Sequence, residues 1–154
     1  MLRLGAIGKE KSDVLKNLMQ KYLYEMTLYY ENRLNDQGDY EYPYLPLYFS
    51  DPDRQAYFFY DDEELIGFVL VNRLSFTGEE IDNSLAEFTI LPMFRKHGYG
   101  MKAFSALLSL RPGIWQLKYS TKNKTGAAFW QKVKALYNGV EAQLEDGEIA
   151  LTLR

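Results

Sequence analysis

"PMFRKHGYG", residues Pro92 to Gly100, stands between a strand-like run, "SLAEFTIL", and a helix-like run that ends at "RPG". Pro92 blocks continuation of the strand, and Met101, Phe104, Leu107 and Leu108 recur at helical spacing from Gly98 to Leu110. Pro112 and Gly113 stop the helix. The amides of its first turn have no intrahelical partner, so they face whatever lies beyond the helix start. Gly98 and Gly100 let the backbone approach a ligand, while the helix dipole, Arg95 and Lys96 add positive potential. A phosphate-bearing ligand fits this chemistry. Two standard phosphate loops are excluded by spacing: no G-x-x-x-x-G-K-[ST] is present, and G-x-G-x-x-G fails because position 103 is Ala.

Outward from this loop, the spacing predicts a short strand at Leu2 to Ile7, then an amphipathic helix with Ser12 as N-cap and Leu15, Leu18, Met19, Tyr22, Leu23 and Met26 on one stripe. "NDQGDYEYPYLPLYFSDPD" follows, and its Gly38, Pro43, Pro46 and Pro52 predict an irregular, Tyr-rich connection of the long kind that often carries function. "QAYFFY" and "LIGFVLVNRL" read as a hairpin around the acidic turn "DDEE". After the central strand and helix come a strand "IWQLKY", a helix "KTGAAFWQKVKALY" and a final hairpin, "GVEAQL" and "EIALTL". This order predicts an α/β (α+β) fold with a mixed, largely antiparallel central sheet of six to seven strands flanked by helices, not a doubly wound sheet.

Composition narrows the function. The 154 residues suit a single domain, 1–154, that needs no staple. With no cysteine and one histidine, His97, thiolate chemistry, disulfides and cysteine-ligated or histidine-rich metal sites are excluded, so no metal is expected. No apolar run approaches the roughly 20 residues of a membrane span, which makes a cytoplasmic protein with no membrane partner the expectation. Net charge is only -3, yet the distribution is segregated. Acidic side chains dominate from Glu31 to Glu64, whereas Lys and Arg alone occupy the stretch between Glu87 and Glu141. Such segregation points to two differently charged ligands or two ends of one reaction. Aromatic residues interleave with the basic stretch, but a pI near 5.3 argues against a nucleic-acid partner.

Arg95, Gly98 and Gly100 make an R-x-x-G-x-G after a strand-ending proline, and "NKTGAAFW" supplies a second motif, N-x-x-A-x-x-[FL]-[YW], with Gly126 where Ala is usual. At this separation the pair resembles the acetyl-CoA-binding segments of the GNAT superfamily of N-acetyltransferases, and the order of elements resembles its fold over nearly the whole chain. The resemblance implies acetyl-CoA as acyl donor, with the backbone of Phe88, Thr89 and Ile90 beside the pantetheine arm. It further implies that amides of Lys96, His97, Gly98, Tyr99, Gly100 and Met101 cradle the pyrophosphate, next to Arg95, and that Asn123 holds the cofactor's arm. An oxyanion contact is implied at the backbone of Ile90 or Leu91. The implied acceptor is a small-molecule or protein amine, cationic if the acidic, Tyr-rich segment Asp36 to Asp62 binds it, and a homodimer is compatible with the family.

Catalytic groups match less closely. Glu87 occupies a strand position where relatives carry a glutamate base, sharing a face with Thr89, and it reads equally as a solvated or salt-bridged acid. Other members place the base five residues before the asparagine, where this chain has Lys118. The usual tyrosine acid, seven residues after the asparagine, is replaced by Trp130, which reads with Phe129 as core packing. Tyr137 lies roughly 10 Å too far along the helix, leaving Tyr119 as candidate acid. A thiol of pKa about 8.5 also leaves without one. The competing expectation is a catalytically impaired acyl-CoA-binding regulatory module.

Overall fold

The structure, a computed structural model, describes residues 1–154. The elements are β1 (Leu2–Ala6), α1 (Ser12–Met26), β2 (Gln55–Asp61), β3 (Glu64–Asn72), β4 (Asn83–Ile90), α2 (Tyr99–Leu110), β5 (Trp115–Tyr119), α3 (Lys124–Tyr137), β6 (Val140–Gln143) and β7 (Ile149–Leu153), with short 3-10 turns at Lys9–Lys11, Leu45–Phe49 and Pro92–Phe94. Seven strands form one sheet in the order β1-β2-β3-β4-β5-β7-β6. All neighbours are antiparallel except β4 and β5.

Both faces of the sheet are covered, which is why β2 and β3 read as nearly continuous apolar runs. Consecutive residues serve opposite faces: Phe59 and Val69 pack under α2 and α3 with Phe104, Leu107, Trp130 and Val133. Phe58 and Phe68 pack under α1 with Leu15, Met19 and Leu23. Each such side chain taken out of water contributes roughly 1.5–3 kcal/mol.

Two sequence expectations are corrected here. Ser12 is not the N-cap of α1; the chain enters through the 3-10 turn, so Ser12 already has helical φ and ψ and makes no capping bond. The Tyr-rich connection is more than irregular surface. Tyr40, Leu45 and Tyr48 are buried against α1, and the Gln20 side chain holds both backbone groups of Tyr40, donating to its carbonyl at 2.7 Å and accepting from its amide at 2.8 Å.

The site is positioned by two irregularities in β4. Its register with β3 shifts between Leu70↔Glu87 and Val71↔Leu85, leaving Ala86 as an extra, bulged residue. A bulge bends its strand, and β4 meets β5 only through Asn83↔Trp115 and Ser84↔Gln116 before the two diverge. A gap therefore opens along the second half of a central strand. No helix is long and apolar enough to cross a membrane.

Candidate active site

Beyond the gap, the loop after β4 presents its amides outward. The first bond of α2 is donated by Lys102 to the carbonyl of Gly98, and the amides from Lys96 to Met101 donate to no protein acceptor. Lys96 (φ 65) and Gly98 (φ 83) both take left-handed backbone, which turns successive N–H groups to one side. For Lys96 this conformation is unfavourable, and such strain collects at ligand sites. The concave run of donors at a helix start fits a pyrophosphate. A Cβ placed on Gly98 would meet nothing within 4 Å, so the space in front of it is open. Gly100 has another reason to be glycine: its Cβ would lie 3.0 Å from the Phe129 ring, so it serves the close packing of α2 on α3 rather than ligand approach. His97 is exposed, with its ring edge-on to Tyr99.

Arg95 is engaged elsewhere. Its guanidinium forms a two-bond pair with Glu25 of α1 at 2.5 and 2.7 Å, and it also donates to the Ile90 carbonyl at 2.7 Å and to the Thr89 hydroxyl at 3.2 Å. The pair holds Glu25 below the ordinary carboxylate range. Much of the positive potential expected from Arg95 is thus neutralised, and its role is to tie the end of β4 to α1. Lys96 stays exposed.

Along β4, the Leu91 amide donates to the Ile66 carbonyl at 2.8 Å. Antiparallel pairing alternates, so Phe88 and Ile90 turn their backbone groups away from β3 and toward the gap, whereas those of Thr89 belong to the ladder. Of the two amides named for an oxyanion, that of Ile90 is the one aimed at open space. The Phe88 ring packs among Phe59, Phe104, Phe129 and Trp130.

Asn123 caps α3, its Oδ1 accepting from the Gly126 amide at 3.0 Å, which leaves Nδ2 as its remaining donor. A Cβ on Gly126 would lie 2.8 Å from Asn123 Nδ2 and 3.0 Å from its Cγ, so an alanine there would require this capping side chain to shift. Trp130 is buried, with its ring against Phe88, Phe104 and Phe129.

On the α1 face of the sheet, just past the bulge, Tyr22 donates to one oxygen of Glu87 and Tyr42 to the other, each at 2.9 Å. Burial is the largest influence on Glu87 and raises its carboxyl to about 7, although the two tyrosine bonds and nearby Lys118 pull the other way. Both tyrosines are pushed up in turn, first by burial and then by the Glu87 charge. Lys118 is on the same face, bonded to Glu148 at 2.8 Å and to Asp146 at 3.1 Å. Tyr30 donates to Glu148 at 2.5 Å. Glu87 therefore has no salt-bridge partner of its own.

Tyr119 lies on the opposite face of β5 from Lys118, so the structure does not bring it together with Glu87. Its hydroxyl donates to Glu141 at 2.8 Å and accepts from Gln131 at 2.6 Å. Burial, then the bond to Glu141, pushes it up to about 12. The acidic segment also divides. Tyr42 reaches Glu87, but Asp51 pairs with Arg54, Asp53 pairs with Arg73, and Asp61 accepts from Tyr99 at the start of α2. The sequence reading missed Tyr22, taken as part of a helical stripe, and Tyr42, one of several tyrosines in the connection; it also missed Gln131 and Glu141.

A model of the acetyltransferase (GNAT) family matches residues 18–132. None of the curated proteins matches the chain significantly. Among solved structures, an acetyltransferase from Thermus thermophilus superposes with TM-score 0.70 at 15% identity, over 100% of this chain and 96% of that one. Spermidine N-acetyltransferase from Vibrio cholerae, solved with CoA and spermine, gives 0.68 at 14% identity, over 99% and 94%. PaiA N-acetyltransferase from Thermoplasma acidophilum, solved with coenzyme A, gives 0.64 at 11% identity, over 100% and 99%.

Proposed function

Because the chain belongs to the GNAT acetyltransferase family, we propose that it moves an acetyl group from acetyl-CoA to a primary amine by direct attack on the thioester, with residues 1–154 acting as one catalytic domain. The observation that carries this reading is that one strand, β4, bears the Glu87 carboxyl poised near 7 and leads directly into a loop of amides without protein partners. The amides from Lys96 to Met101 hold the pyrophosphate and Asn123 Nδ2 holds the arm. The donor supplies an activated acetyl carbon: the amine nitrogen bonds to it, the carbon–sulfur bond breaks, and the departing thiolate takes up, through solvent, the proton that the nitrogen sheds as the amide forms.

An ammonium ion cannot attack, so its proton must go first. Glu87 is suited to take it, directly or through one water, because a base works best when its pKa is near the operating pH. Tyr22 and Tyr42 orient the carboxylate while it is charged. The Ile90 amide offers a hydrogen bond to the oxygen on which charge develops. Titration calorimetry with acetyl-CoA, paired with thiol release over a panel of amines, tests the proposal. Absence of acetyl-CoA binding by folded protein at millimolar concentration would overturn it.

One observation favours a second reading, a catalytically impaired acyl-CoA-binding module. Trp130 fills the position of the usual acid and packs in the core, while the Tyr119 proton is directed to Glu141. Tight cofactor binding with no thiol release for any amine would select it.

A further inference from the structure

A cavity of about 500 Å³ lies between α1 and the end of β4, on the same face as Glu87 and bordered by Tyr22, whose hydroxyl bonds that carboxylate. Most of its buried polar lining is already engaged. Glu25 is held by Arg95, the Thr27 hydroxyl donates to the Tyr24 carbonyl at 2.6 Å, and the Thr89 hydroxyl donates to the Ile90 carbonyl and accepts from Arg95. The rest of the wall is Leu18, Leu28, Leu91, Pro92 and the exposed ring of Tyr24, whose hydroxyl makes no bond within the protein. Leu28 is 74% exposed with no protein surface covering it. At the rim stands Lys21, exposed and with no carboxylate partner.

The charges around the cleft set a limit on the acceptor. Glu148 and Asp146 are bonded to Lys118, and Glu25 to Arg95, whereas Glu87 has no cationic partner. A molecule with several ammonium groups would have to place the others beside paired acids or beside Lys21, at a cost in repulsion and lost solvation. A peptide would need partners for its several amides, and the wall offers few, the Tyr24 hydroxyl among them.

Resting on the acetyltransferase reading above, we propose that the acceptor is a free primary monoamine with an apolar body, its nitrogen at Glu87 and its body in the cavity between α1 and β4. Lys21 then acts as a specificity residue that rejects a second cation.

The test measures kcat/KM with acetyl-CoA for the alkylamines from propylamine to hexylamine, phenethylamine, spermidine, and a short peptide with leucine at its N-terminus. We expect a rise of about fourfold per added methylene and a preference for hexylamine over spermidine of more than about tenfold. Lys21→Glu should shrink that preference about tenfold, and Leu28→Asp should weaken hexylamine while sparing propylamine. Both positions are exposed, so the variants should fold. Saturation-transfer NMR of hexylamine with the protein alone reads binding without turnover, and its signal should drop in Leu28→Asp. Equal or better use of spermidine or of the peptide overturns the inference while leaving the acetyltransferase reading intact. Loss of acetyl-CoA binding in the parallel titration overturns both, and an unchanged NMR signal in Leu28→Asp refutes the assigned cavity.

Discussion

Replacing Glu87 by Gln should make the protein more stable and less active. Burial raises the Glu87 carboxyl from 4.5 to about 7, so the folded state binds a proton more tightly than the unfolded chain does. Between these values the folded state carries more protons, and stability therefore falls as pH rises, reaching its full loss above about 7. At about 1.4 kcal/mol per unit, the buried charge costs about 3 kcal/mol at pH 8. Glutamine keeps the shape, offers one oxygen to a tyrosine, and can donate to the other hydroxyl. Urea unfolding at pH 8 should show Glu87→Gln more stable by up to about 3 kcal/mol, a midpoint shift of about 1–2 M. The advantage should shrink as pH falls and vanish below about 4.5, where both states of the parent are neutral. In the same variant kcat/KM should drop by about 10²–10⁴. In the parent, kcat/KM should rise with pH through about 7, as the base loses its proton. A variant that is less stable at pH 8, or whose difference does not change with pH, would identify Glu87 as an ordinary structural acid and refute the reasoning.

Gly98→Asn tolerates left-handed backbone and adds no charge, so calorimetry should find acetyl-CoA affinity close to the parent's, whereas Gly98→Glu aims a carboxylate at the proposed phosphates and should weaken binding more than about tenfold. Equal affinity in the two variants would remove the phosphate assignment. Gly100→Ala should cost about 1–3 kcal/mol in thermal or urea unfolding, because its Cβ meets Phe129, and the added change Phe129→Leu should recover part of the loss. If Phe129→Leu gives no recovery, the contact is not what fixes glycine there.

What was legible in the sequence is what is written locally. Pro92, Gly98 and Gly113 punctuate the chain, and the apolar runs on either side have one regular interpretation, so the central strand, loop and helix fell where expected. The proposed catalytic side was not local. Tyr22 and Tyr42 meet Glu87 across 65 and 45 residues of chain, and nothing in a helical stripe or a Tyr-rich connection says which tyrosine will arrive. Arg95 misled for the same reason: beside a glycine loop a basic residue reads as a phosphate contact, until Glu25, 70 residues away, is found holding it. The bulge at Ala86 left no signature because it is a property of how two strands register.

The brief meeting of β4 and β5 bears on how the molecule coheres. Two residue pairs form the seam between one panel of four strands and another of three. On the α1 face every buried core residue comes from the first panel or its own connections, so nothing apolar stitches the seam from that side. On the other face Phe59 and Val69 share one cluster with Trp115, Leu117 and Leu151, and α2, which lies on β1 and β4, packs beside α3, which lies on β5 and β7. Cohesion is thus carried on one side only, like a book bound along its spine. The face left unbound is free to be polar and open, which is where Glu87 and Lys118 stand.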